Sequence, residues 1–72
     1  MINCKLYSVT VGAGYRGGGM AIAARSKEAA IGLIHVYEDS IAKEYMEIDT
    51  LKDIGVEAKT ESKVLFCNYY IE

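Results

Sequence analysis

The sequence predicts a small α+β domain: one mainly antiparallel sheet with a single amphipathic helix on one face, in strand-strand-helix-strand-strand order. Three observations lead there. Two segments near the ends of the chain, Cys4–Val11 and Lys63–Ile71, are dense in β-branched and aromatic residues. A central segment from Ser26 carries apolar residues at helical spacing. With 72 residues there is room for one core and no more, and 51% hydrophobic and 25% charged residues without proline make an ordinary globular composition.

The first strand follows from Lys5, Tyr7, Val9 and Val11 on one parity and Cys4, Leu6, Ser8 and Thr10 on the other. Gly12 to Gly19 then holds five glycines in eight positions, a composition that neither a helix nor a strand interior tolerates, so the segment reads as a hairpin loop. Residues 20–25 form the returning strand. Ser26 reads as an N-cap, because Glu28 follows in the first turn, where the helix dipole favours an acid.

From Ser26 the stripe Ala30, Leu33, Ile34, Tyr37 and Ile41 faces one way, and Glu28, Gly32, His35, Asp39 and Lys43 face the other, over four to five turns. Residues 44–52 allow a helix extension or a strand, and the alternation of Met46, Ile48 and Thr50 against Tyr45, Glu47, Asp49 and Leu51 favours the strand. Gly55 and the polar run Glu57–Ser62 read as a connection. The last strand has bulky groups on both parities, Val64, Phe66 and Tyr70 against Leu65, Cys67, Tyr69 and Ile71, and therefore expects cover on both faces.

Charge narrows the function classes. The formal charge of −2 divides into +4 over residues 1–27, from Lys5, Arg16, Arg25 and Lys27, and −6 over residues 28–72. A pI near 5.3 and sparse basic residues argue against nucleic acid as a partner. No uncharged stretch approaches the roughly 20 residues that span a bilayer. Residues 1–5 lack the pattern of a secretory signal, so a cytoplasmic location and two unpaired thiols at Cys4 and Cys67 are expected.

The chemistry-bearing residues do not assemble into a catalytic or metal-binding pattern. His35 has Asp39 one turn on but no second histidine or thiolate, and is expected to form a surface charge pair with it. The four serines have no histidine set to activate them. Gly12-Ala13-Gly14-Tyr15-Arg16-Gly17 carries the glycine spacing of a dinucleotide fingerprint. That motif needs a helix opening at the third glycine, whereas here two further glycines follow and the capping signal comes only at Ser26. No cofactor, metal or enzyme activity is implied.

What the sequence does imply is a contact surface. Four strands spaced about 4.8 Å span nearly 20 Å, and one helix roofs about 10 Å of that. The remaining apolar surface points to self-association, most simply as a two-fold homodimer, and to a protein partner. The candidate contact residues are Gly14, Tyr15, Arg16, Gly17 and Gly18 in the glycine loop, together with Tyr69 on the last strand. Tyrosine and arginine are favoured at binding hot spots, and glycines free backbone amides. The expected function is a non-enzymatic interaction module, an adaptor or inhibitor. The alternative is a small-ligand or nucleotide-sensing domain built on loop 12–19.

Overall fold

A computed structural model describes residues 3–12 and 18–69. The elements are β1 (Asn3–Val11), β2 (Gly19–Ala24), α1 (Lys27–His35), α2 (Ser40–Glu44), β3 (Met46–Lys59) and β4 (Lys63–Asn68). The strands form one antiparallel sheet in the order β3-β1-β2-β4. The chain is thus an α+β domain with a four-stranded sheet and two short helices.

The central hairpin explains where the core sits. β1 and β2 pair without interruption, matching Tyr7 with Ile22 and Val9 with Met20. Directly opposed residues share a face, so Tyr7, Val9, Val11, Met20, Ile22 and Ala24 form one apolar surface. They are buried together with Ala30, Ile34, Ala42 and Leu51. The other parity pairs Leu6 with Ala23, Ser8 with Ala21 and Thr10 with Gly19; apart from Leu6 these are small or polar residues.

The expected long helix is two. Ser26 caps α1 as the sequence predicts, its Oγ accepting from Ala29 N at 3.1 Å. α1 ends at His35, and Asp39 caps α2, its Oδ1 accepting from the amides of Ile41 and Ala42. The break turns the stripe: Ala42 is fully buried, and Ile41, expected inside, is 47% exposed. It also removes the expected His35–Asp39 pair, because the two residues no longer share a helix; Lys43 Nζ donates instead to the His35 carbonyl.

β3 corrects a second expectation. The segment read as a connection after Gly55 is strand as far as Lys59, and only residues 60–62 join β3 to β4. The pairing of β1 with β3 shifts register twice. Between Lys5–Glu57 and Tyr7–Asp53, the single residue Leu6 stands opposite three on β3. Gly55 sits in that bulge at φ +81, a conformation that costs other residues about 1–2 kcal/mol. Its amide donates to Asp53 Oδ1 at 2.8 Å. Near the other end, Thr50 Oγ1 accepts from Thr10 N at 2.7 Å and donates to the Glu47 carbonyl, filling the gap that the second shift leaves in the ladder.

Cys4 and Cys67 are both unpaired. β2 lies between their strands, and Cys67 pairs with Met20 while Cys4 pairs with Ala58 at the far end of the sheet. The Cys4 thiol donates to the Thr60 carbonyl at 3.2 Å, tying the β3–β4 connection to the start of β1.

Candidate contact face

The helices cover one face of the sheet, and the other carries a trough of about 450 Å³. The central strands contribute Leu6 and the small residues Ser8, Gly19 and Ala21 to its lining, and the edge strands contribute Ile54 from β3 and Leu65 and Phe66 from β4. Ile54 is 46% exposed, Leu65 40% and Phe66 62%. Isolated exposed apolar residues are unremarkable, but a contiguous set is a recognised sign of a contact surface.

A β-bulge produces the β4 wall. β2 pairs Ala21 with Phe66 and Ile22 with Val64, so Leu65 is an extra residue between two consecutive partners. Past such a bulge the side-chain alternation resets. Val64 and Cys67 consequently pack toward the helices, while the neighbours Leu65 and Phe66 both line the trough. The sequence reading had Leu65 with Cys67 and Phe66 with Val64, a strict period of two that the bulge overturns.

Of the residues singled out in the glycine loop, Gly14, Tyr15, Arg16 and Gly17 lie outside the described residues. Gly18 and Tyr69 are described, and the fold brings them together. A β-carbon on Gly18 would overlap the Asn68 carbonyl oxygen and the Tyr69 Cα, so the loop re-enters the sheet at a point where only glycine fits. The Tyr69 side chain packs against the helix-side core. Its hydroxyl donates to Asp39 Oδ2 at 2.6 Å, linking the end of β4 to the break between the helices.

That hydrogen bond sets the electrostatics of the region. The Tyr69 hydroxyl and the Ala42 amide hold the Asp39 carboxyl below its ordinary range. The same bond pushes Tyr69 up to about 12. Burial raises Tyr37 and Cys67, which neighbour each other beneath the same helix break. A thiol raised in this way is a poor nucleophile.

The dinucleotide arrangement fails on geometry. β1 and β2 are antiparallel neighbours, and the helix begins only at Lys27, well beyond the glycines. Among the described residues, a pyrophosphate at the loop would therefore meet no helix N-terminus. A hollow of about 590 Å³ with a mixed polar and apolar lining does adjoin Gly18, lined by Ser8, Val9, Thr10, Thr50, Leu51 and Lys52 among others. Among the described residues, no group of three or more His, Cys, Asp or Glu side chains is placed to hold a metal ion. Among the described residues, no helix is long and apolar enough to cross a membrane.

The chain was compared with models of known protein families, with curated proteins and with solved structures, and none of them matches it.

Proposed function

We propose that this chain is a non-enzymatic protein-interaction module that self-associates and presents its uncovered sheet face to a protein partner, as a small adaptor or inhibitor does. The observation that carries the reading is the trough walled by Ile54, Leu65 and Phe66. Leaving that apolar face in water forgoes stabilisation worth about 25 cal/mol per Å² of apolar area, which a covering partner recovers. A domain of this size buries a smaller fraction of its unfolded surface than a larger one does, and a second subunit is a common remedy. A cytoplasmic setting suits the two unpaired thiols.

The hollow beside Gly18 and Gly19 favours one second reading, a small-ligand sensor whose pocket adjoins the glycine loop. Two measurements separate the readings. Short-arm amine cross-linking at micromolar concentration captures a covalent dimer if the chain self-associates, and Phe66→Ser diminishes it. Calorimetric titration with a panel of nucleotides and metabolites gives saturable binding if the chain is a sensor. Absence of the cross-linked dimer together with a saturable ligand replaces the first reading with the second.

A further inference from the structure

The two outer edges of the sheet are unequal. β3 is interspersed with charge along its length: Glu47, Asp49, Lys52, Asp53, Glu57 and Lys59 are exposed on it, between the exposed apolar residues Ile48, Ile54 and Val56. Charges at this density keep an edge from pairing with another strand. β4 has one charged residue, Lys63, in the sequence Lys-Val-Leu-Phe-Cys-Asn. Apolar surface flanks it on both sides of the sheet. Leu65 and Phe66 lie on the trough face, while Leu33, Val36 and Val64 line a shallow hollow on the helix face, where Val36 is 76% exposed. The charged residues bordering that hollow, Glu38 and Lys63, are of opposite sign.

We infer that self-association runs through the outer edge of β4, which no other described strand covers and which pairs antiparallel with β4 of a second copy about a two-fold axis between Leu65 and Phe66, giving one eight-stranded sheet. The inference rests on the self-association proposed above and names its interface. In this register Lys63 opposes the partner's Asn68, Val64 opposes the partner's Cys67, and Leu65 opposes the partner's Phe66. No like charges meet.

The bulge makes the register possible. Residues opposed across an antiparallel pair must lie on the same face. In a regular strand, residues one or three apart lie on opposite faces, so a two-fold axis between adjacent residues would set inward side chains against outward ones. Here Val64 and Cys67 share the helix face and Leu65 and Phe66 share the trough face, so every apolar pair in the register matches. The same two-fold joins the two troughs side by side, and Leu65 and Phe66 change from the wall of one trough to the centre of a double-width face.

The test is amide hydrogen exchange on the wild-type chain across a dilution series, with mass measured on the same samples. The expected result is a dimer at high concentration in which the β4 amides not bonded to β2 exchange at least tenfold more slowly than after dilution, while the outer-edge amides of β3 exchange at one rate throughout. A dimer whose β4 amides exchange equally at both concentrations overturns the edge pairing and leaves self-association standing. A monomer at every concentration overturns both. Phe66→Thr, a substitution that keeps a strand-forming residue, is expected to weaken dimerisation at least tenfold with unchanged circular dichroism; undiminished dimerisation by the folded variant also overturns the edge pairing.

Discussion

Tyr69 and Asp39 are thirty residues apart in sequence and joined by a 2.6 Å hydrogen bond from the tyrosine hydroxyl to carboxylate Oδ2. Asp39 spends its other oxygen on the first amides of α2, so one carboxylate both starts the second helix and anchors the end of β4. The same residue therefore holds the helix layer and the sheet edge in a fixed relation.

This pair predicts a pH dependence at both extremes. The Asp39 carboxyl lies below its unfolded value, so its contribution is present above the ordinary carboxylate range near 4 and is lost as pH falls through the lowered value. Tyr69 is raised to about 12; its contribution is full below the ordinary tyrosine value near 10 and is lost as pH climbs from there toward about 12. Thermal melts of Tyr69→Phe should show a lower Tm than the wild type at neutral pH. The difference should shrink at both the acid and the alkaline ends. A constant difference across that range would remove the pair from the pH response.

Gly18→Ala is expected to destabilise the domain by at least about 1–3 kcal/mol, the usual cost of forcing extra volume into a packed site. The obstacle is the backbone of Asn68 and Tyr69, which has no rotamer to yield. Gly32→Ala is the control: a β-carbon there meets nothing within 4 Å, and alanine is the better helix former by about 1 kcal/mol. Urea denaturation should move the two midpoints in opposite directions.

Ser26→Ala removes the side-chain acceptor for Ala29 N. The expected loss is about 1 kcal/mol, a fall in Tm of roughly 4–8 °C for a domain of this size. The effect should appear in calorimetry of the single variant. An unchanged Tm would mean that packing of Ala30 and Ile34 alone fixes the start of α1.

The thiols should differ in reactivity. Cys67 is half-buried and its thiol is raised chiefly by burial, so alkylation in the native state should be slow at neutral pH. Cys4 is 1% exposed and should be modified only on unfolding. Mass spectrometry after timed treatment with iodoacetamide should therefore find single modification at Cys67 before any at Cys4.

Much of this arrangement was legible in the sequence. The alternation in Cys4–Val11, the Ser26 cap and the preference for strand over helix after Tyr45 all rest on local signals, and the corresponding elements are present. What escaped was irregularity. The Asp39 cap looked like one more polar residue on a continuing helix, because an N-cap and an exposed helical aspartate have the same sequence signature until the preceding turn is known to stop. Gly55 and its polar neighbours read as a turn, though a glycine at positive φ serves a bulge equally well. The insertion of Leu65 leaves no local mark at all: it arises from pairing with β2, a long-range register that a period-of-two reading cannot contain. Ile54 was missed as a wall of the trough for the same reason, since its neighbours across the sheet come from strands far away in sequence.

The account depends on a sheet that its own helices roof on one side. Light scattering on the wild-type chain over a concentration series measures the consequence directly. The account predicts a mass that rises from 7.9 kDa toward twice that value as concentration increases; a mass fixed at the single-chain value up to millimolar concentration would contradict it.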